Sequence, residues 1–460
     1  PIFMLKLPQD FIEKYQTLFG DEAEAFFKSL DEDVQKGFRI NSLKPHADHL
    51  QIDTSHPIPF IKDGYYGTVS GRSLAHQAGY VYSQDISAMY VGQVVDAQPG
   101  ETVLDLCAAP GGKSTHIAQQ LNNQGLLVSN EINHKRASIL VENLERFGAK
   151  NVIILNEDPS HLAQNLKQRF DKVVVDAPCS GEGMFRKDHN AIKYWHRDYP
   201  TECAARQRKI LADAIQTLKP GGELIYSTCT FSPEEDEQIV SWLLTTYPDL
   251  ELVEIPKFEG MDAGRPDFAD GNPELAKTVR LMPHHFKGEG QFVAKLHLNG
   301  KPGKVKTKKK NKKQNQSQLT SDQFALWQQT INHITDEWAD VKRSNFKVFN
   351  NHLYYFDRDW PDIFAMKYMR PGLYLGEFKK KRFEPSYNLA LTLNPDEGTA
   401  KVELSLDQWE KYMHGETVTL SNSASNGWTL LTCEGVGFAF GKVVGTTVKN
   451  FIPKGLRFLN

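Results

Sequence analysis

Asp105-Leu106-Cys107-Ala108-Ala109-Pro110-Gly111-Gly112-Lys113-Ser114-Thr115 joins a short β-rich run at 102–106 to an amphipathic helical pattern at 113–122. Glycines at a strand-to-helix turn let the backbone approach a ligand, and the first N–H groups of the helix point at it. A triphosphate-binding loop needs glycine five positions before Gly112, where this chain has Cys107. A dinucleotide fingerprint needs three spaced glycines, and here only Gly111-Gly112 is present.

Outward from this turn, apolar runs at 126–130, 152–156, 172–176 and 223–226 alternate with helical patterns at 133–147, 161–170 and 202–218. Lys219-Pro220-Gly221-Gly222 then reads as a helix stop and a turn. Alternation of this kind predicts an α/β fold with a doubly wound, mostly parallel sheet covered on both faces. A further helix at 235–246 and a late strand pair near 252–255 and 291–296 close the unit. Ligands of such sheets bind in the crevice at the carboxyl ends of the strands.

Acidic residues stand at those ends. Glu131 follows the second strand, twenty residues after Gly111, where a carboxylate accepts ribose hydroxyl protons. Asp158 follows the third strand, in reach of an adenine amine, and Asp176 ends the fourth. Each alone could be a helix N-cap. Together they suit an uncharged or cationic nucleoside better than a pyrophosphate. S-adenosylmethionine, a sulfonium with a ribose and no phosphate, fits this set.

Two thiols share the same rim. Asp176-Ala177-Pro178-Cys179 and Ser227-Thr228-Cys229-Thr230 each end a strand, so both cysteines could face one substrate. A free thiol is a few per cent thiolate at neutral pH and strongly nucleophilic. Cys203 and Cys433 have no motif around them and read as packing residues. Cys107 packs too, with its backbone in the cofactor turn.

These motifs resemble the RNA 5-methylcytosine methyltransferases of the Sun/Nop family, and most closely their bacterial RsmF-type ribosomal RNA branch. The matching residues are Tyr82-Ser83-Gln84-Asp85, the stretch 105–115, Asn130-Glu131, the stretches 176–181 and 227–230, and Phe38-Arg39-Ile40-Asn41-Ser42-Leu43-Lys44. Residues 280–284 and 290–294 resemble that family's closing strand, and 441–457 resembles an RsmF-type PUA-like module. The resemblance implies a Rossmann-like methyltransferase acting on carbon 5 of cytidine in 16S ribosomal RNA. It implies Cys229 as nucleophile, Cys179 assisting release and Asp176 holding the base. S-adenosylmethionine is implied at Cys107, Ala108, Ala109, Pro110, Gly111, Gly112, Lys113, Glu131, Asp158 and Asp176. Pro178-Cys179 also matches the local pattern of DNA cytosine methyltransferases, which keeps the opposite thiol assignment open. A noncatalytic RNA-binding assembly factor that retains the fold, or a methyltransferase of another RNA, are the alternatives.

The expected layout is an N-terminal RNA-binding module at 1–75, a methyltransferase domain at 76–298, a Lys-rich linker at 299–320, an α+β extension at 321–387 and a PUA-like RNA-binding domain at 388–460. Residues 301–313 carry eight lysines, too polar to pack. The extension reads as a helix at 322–338 and a strand at 346–356.

With 54 basic against 57 acidic residues, no global field marks a nucleic-acid partner, so basic surface must be local. Candidates are Arg186-Lys187, Lys193-Tyr194-Trp195-His196-Arg197 and Lys379-Lys380-Lys381-Arg382. Five cysteines without a C-x-x-C pair read as reduced thiols of a cytoplasmic protein. His284-His285 has no ligand set nearby in sequence, so no metal is expected. No apolar run is long enough to span a bilayer. The opening Pro1-Ile2-Phe3-Met4 shows no signal-peptide pattern and reads as a processed terminus, with Met4 a native start. No obligate protein partner is inferred.

Overall fold

A computed structural model describes residues 5–304, 318–357, 362–363 and 365–460. Met4 and the lysines of 306–313 lie outside the described residues. The central sheet comprises β1 Thr102–Asp105, β2 Leu126–Asn130, β3 Val152–Leu155, β4 Phe170–Asp176, β5 Leu218–Thr228, β6 Leu250–Leu252, β7 Asp262–Ala263, β8 Val279–Leu281, β9 Gln291–Leu298 and β10 Tyr368–Arg370. Its order is β7-β8-β9-β5-β4-β1-β2-β3-β10, with β6 paired to β9 as well. The five central strands run parallel, and β9 returns antiparallel to β5. The chain winds outward from β1 to β3, then restarts at β4 on the other side of β1. Strand order therefore reverses between β1 and β4, which opens the crevice beside the turn at 105–115.

The apolar runs form strands because both of their faces are buried. Leu104, Val128, Ile153, Val173 and Leu224 enter the core on one face, while Val103, Leu127, Val152, Val174 and Ile225 enter the other. Successive strand residues point to opposite faces, so burial on both sides demands continuous rather than alternating hydrophobicity. Helices α1 Gly112–Leu121, α2 His134–Phe147, α3 Pro159–Asn165, α4 Tyr199–Thr217 and α5 Glu237–Thr246 supply the covering layers. Asn133 caps α2 by accepting from Arg136 N, and Gly148 ends it at φ +74°.

Local expectations change at several points, and the helix expected at 322–338 stops at Ile334. Residues 219–222 form no free turn but belong to β5, whose pairing with β4 shifts register near Phe170. The helix expected at 161–170 starts at Pro159 and stops at Asn165. The strand expected at 346–356 is a hairpin of Phe346–Phe349 and His352–Tyr355, because Asn350 and Asn351 both take positive φ. That is the two-residue turn geometry asparagine tolerates.

At the N-terminus, helices Gln9–Phe19 and Ala23–Ser29 carry Phe11, Tyr15, Phe26 and Phe27 into one cluster with Phe185, Trp195 and Phe231. The last three follow the two cysteine segments, so the N-terminal helices brace the loops of the rim. A three-stranded antiparallel sheet of Gly37–Ile40, Gly64–Tyr66 and Val81–Ser83 adjoins them. Beyond residue 320, helix Ser321–Ile334 packs on the four-stranded sheet that contains the 346–355 hairpin. A five-stranded sheet of Lys401–Leu404, Val418–Thr419, Gly427–Cys433, Val436–Val444 and Thr447–Asn450 ends the chain. β10 leaves the extension to pair antiparallel with β3, and Arg370 donates to the carbonyls of Val152 and Ala149. Among the described residues, no helix is long and apolar enough to cross a membrane.

Candidate active site

The turn after β1 is held from both sides. Asp105 is fully buried and accepts from Ser114 Oγ at 2.7 Å, which fastens the strand end to α1. Burial pushes its carboxyl up to about 7, with Ser114 opposing. Gly111 sits at φ +123°, a conformation that side chains rarely adopt. From the N-terminal sheet, buried Arg39 donates to Gly112 O at 3.0 Å and to Thr115 Oγ1 at 2.7 Å. The same guanidinium donates to Gln84 Oε1 and Gln119 Oε1, each at 2.9 Å. The Arg39 and Gln84 motifs are therefore clamps on α1.

The acids at the strand ends divide. Glu131 is buried, accepts from Asn133 N at 2.9 Å and lies 3.5 Å from Arg136. Asp158 is exposed and caps α3 by accepting from Ser160 N at 2.8 Å. Asp176 ends β4, accepts from Ser227 Oγ at 2.8 Å and pairs with Lys113 Nζ at 2.8 Å. Burial opposes charge on Lys113, yet the Asp176 carboxylate, with Asp105 and Cys229 beyond it, holds the ammonium above its ordinary value. The lysine of the turn is thus already paired, Arg136 faces Glu131, and the acids at the strand ends match or outnumber the cations of the rim. That donor set fits a sulfonium nucleoside and opposes a phosphate-bearing one.

Cys179 and Cys229 meet. Their sulfurs lie 3.3 Å apart, both half-buried, at the ends of the adjacent parallel strands β4 and β5. The hydrogen bond to Cys229 and burial push the Cys179 thiol well above its ordinary value. Cys179 therefore stays protonated near neutral pH. Cys203 and Cys433 are buried in the packing.

Two buried carboxylates shape the loops beneath these thiols. Glu235 accepts from Ser180 N at 2.8 Å, from Ser180 Oγ at 2.5 Å and from Gln207 Nε2 at 3.0 Å. Ser180 Oγ also lies 2.7 Å from Thr230 Oγ1, so the two cysteine segments are tied one residue past each thiol. Glu182 accepts from Trp195 Nε1 at 2.8 Å, Ser232 Oγ at 2.8 Å and Phe231 N at 3.2 Å, and contacts the Tyr15 hydroxyl. Gly183 N donates to Cys229 O at 2.8 Å. These supports were not singled out from sequence. A usable signal was the run Glu234-Glu235-Asp236-Glu237 directly after Ser227–Thr230, since three of its four acids are fully buried. Arg280 explains the rest of that run by pairing bidentately with Glu237 at 2.6 Å and facing Asp236 at 3.6 Å.

The proposed RNA-facing cations divide as well. Arg186 is buried against Glu289 at 3.2 Å and donates to Ser29 O and Gly288 O, so it is a brace rather than a phosphate contact. Trp195 turns inward to Glu182, while Lys193, Tyr194, His196 and Arg197 face solvent. Lys381 and Arg382 line a cleft of about 600 Å³ between helix Ser321–Ile334 and the C-terminal sheet. Lys442, Lys449 and His333 add basic groups there, and Glu384 is its one carboxylate. Trp428 packs against Phe451, centroids 4.4 Å apart, with Lys442 over its ring at 5.8 Å.

A doubly wound sheet whose order reverses at an acid-rimmed glycine turn is the architecture of the Rossmann-like, S-adenosylmethionine-dependent methyltransferases. Residues 92–297 match the family model of the 16S rRNA methyltransferase RsmB/F, and 7–86 that of the RsmF N-terminal domain. Residues 327–393 match the first C-terminal domain of RsmF rRNA methyltransferases, and 399–458 the RsmF PUA domain. Ribosomal RNA small subunit methyltransferase F of Vibrio vulnificus is 30% identical over 98% of this chain and 97% of its own. The Erwinia tasmaniensis protein of the same name is 29% identical over 98% and 96%. Among solved structures, a methyltransferase homolog from Pyrococcus horikoshii is 30% identical with a TM-score of 0.56, over 64% of this chain and 96% of its own. NSun6 of the same organism, solved with SFG, shares the fold at 23% identity and a TM-score of 0.57, over 65% and 100%. The chain belongs to the RsmF family of 16S ribosomal RNA methyltransferases.

Proposed function

We propose that the chain methylates carbon 5 of cytidine in 16S ribosomal RNA through a transient bond to Cys229. The carrying observation is the pair of sulfurs 3.3 Å apart at the ends of β4 and β5, one of them held as a thiol. Carbon 5 of cytosine is a poor nucleophile. Thiolate addition at carbon 6 breaks the ring conjugation and builds electron density at carbon 5. Bound at the 105–115 turn, S-adenosylmethionine supplies the electrophilic methyl group. Cys229 is assigned as the nucleophile because its partner Cys179 is the thiol pushed upward.

Asp176 holds the base. Lys113 and Ser227 fix one oxygen each, and the free lone pairs accept from the cytosine amine and the protonated ring nitrogen of the adduct. After transfer, the carbon-5 proton passes to a solvent water as the carbon 6–sulfur bond breaks, and the Cys179 thiol beside it hydrogen-bonds the departing Cys229 thiolate. Attack from one face and methylation from the other require an unpaired or flipped base. The family relationship and the basic, aromatic cleft around Trp428 support an RNA substrate, and a ribosomal RNA substrate implies action in the cytoplasm.

The test is trapping on small-subunit RNA with S-adenosylmethionine. Cys179→Ala should accumulate a protein–RNA adduct that survives denaturing electrophoresis, while Cys229→Ala should form none and transfer no methyl. An adduct through Cys179 in the Cys229 variant reverses the assignment. Absence of 5-methylcytosine in RNA treated with the active wild-type protein overturns the reaction itself.

A further inference from the structure

The geometry points to a divalent metal site, of the Zn²⁺ class, formed by Glu22, His284 and His285 at the junction of the N-terminal helices and the methyltransferase domain. In sequence the two histidines stand alone, but folding brings Glu22 from the turn between helices Gln9–Phe19 and Ala23–Ser29, and Asp262 from β7. His285 Nε2 lies 2.9 Å and His284 Nε2 3.7 Å from Glu22 Oε1, and all three ligand atoms lie within 4.8 Å of one another. Ligands at about 2.1 Å from a tetrahedral metal sit roughly 3.4 Å apart, so small side-chain adjustments close this set.

Two observations favour an ion over a simple ion pair. His285 Nδ1 lies 2.7 Å from Asp262 Oδ2, the carboxylate–histidine arrangement that orients an imidazole and presents its Nε2 lone pair to a metal. A protonated His285 between Asp262 and Glu22 would account for that ring alone. It leaves His284 unexplained: its side chain is 7% exposed, yet neither ring nitrogen has a hydrogen-bond partner. Phe19 and Phe26 pack on the ring and hold it in place.

The site opens on a cavity of about 120 Å³, which leaves room for water as a fourth ligand. The two arginines of that cavity are already neutralised, Arg280 by Glu237 at 2.6 Å and Arg265 by Asp267 at 2.7 Å. A bound ion would clip the N-terminal helices to the chain between β8 and β9.

The experiment is a Co²⁺ titration of tag-free, full-length, reduced protein followed by visible absorption. Saturation at one Co²⁺ per chain, displacement by Zn²⁺ and no thiolate charge-transfer band are expected. His284→Gln and Glu22→Gln should each weaken binding at least about tenfold, and Asp262→Asn about 10–100-fold. Zn²⁺ should raise the melting temperature of the wild type and leave that of Glu22→Gln unchanged. Glu22 is 56% exposed, so its variant carries the test if His284→Gln fails to fold. No saturable binding, a thiolate band, or undiminished binding in the Glu22 variant overturns the site.

Discussion

Lys113 Nζ lies 2.8 Å from Asp176 Oδ2, joining the first turn of α1 to the end of β4 across the point where strand order reverses. One ion pair therefore links a residue proposed to hold the cofactor to the residue proposed to hold the base.

Lys113→Met should leave Asp176 with Ser227 as its remaining fixed partner. A misplaced catalytic group costs on the order of 10²-fold in rate. We expect kcat to fall by about that factor with the melting temperature nearly unchanged. Single-turnover methyl transfer at saturating RNA measures it, and Lys113→Arg should recover part of the loss.

Glu235 should give stability a distinct pH dependence. Burial pushes its carboxyl up to about 8, with repulsion from Glu182 adding and the bonds from Ser180 and Gln207 opposing. The folded state thus binds this proton more tightly than the unfolded chain, whose glutamates titrate near ~4.3. Its contribution is fully present below that value and is lost as pH rises through 8. Glu235→Gln keeps the neutral form and the acceptor for Ser180. Relative to wild type, it should gain on the order of 4 kcal/mol between pH 5 and pH 9. Urea unfolding at both pH values checks the sign.

Gly183→Ala should strike Cys229 through the backbone. A β-carbon there would lie 2.7 Å from both Cys229 O and Gly290 O and 2.9 Å from Gly290 Cα. None of these atoms belongs to a flexible side chain. Overpacking costs roughly 1–3 kcal/mol, so urea denaturation should show that loss. Activity at a temperature where the variant remains folded should fall further than stability accounts for.

Trp428→Ala should weaken RNA binding by about 1–3 kcal/mol if a base stacks in the cleft. Lys442→Glu and Lys449→Glu should each lower the slope of log affinity against log salt by about 0.7 for single-stranded RNA. Filter binding over a salt series reads both effects, with kcat at saturating RNA unchanged.

The parallel strands were legible because Val103–Leu104, Leu127–Val128 and Val173–Val174 need apolar residues on both faces, which leaves an uninterrupted pattern in the chain. The cysteine pair was legible as two strand ends, but its 3.3 Å separation depends on β4 and β5 being neighbours in register, a tertiary fact. The acid run at 234–237 marks Glu235 locally, but its tie to Ser180, and that of Glu182 to Ser232, span 55 and 50 residues and are recorded only by the fold. Arg186 misled for the opposite reason: a cation beside a glycine turn looks free until Glu289, 103 residues on, folds over it. The 346–355 hairpin was written locally, in Asn350-Asn351, and only its turn chemistry went unread.

The pairing of β10 with β3 gives the molecule a fixed gauge. A strand from the extension completes the central sheet, and two residues further on the same chain enters the four-stranded sheet, whose Arg382 and Glu384 line the cleft near Trp428. Under the proposed function, an RNA held in that cleft would be measured against the two sulfurs across this link. On that reading the choice of nucleotide would be a question of span, counted in nucleotides, between the gripped segment and the reacting base.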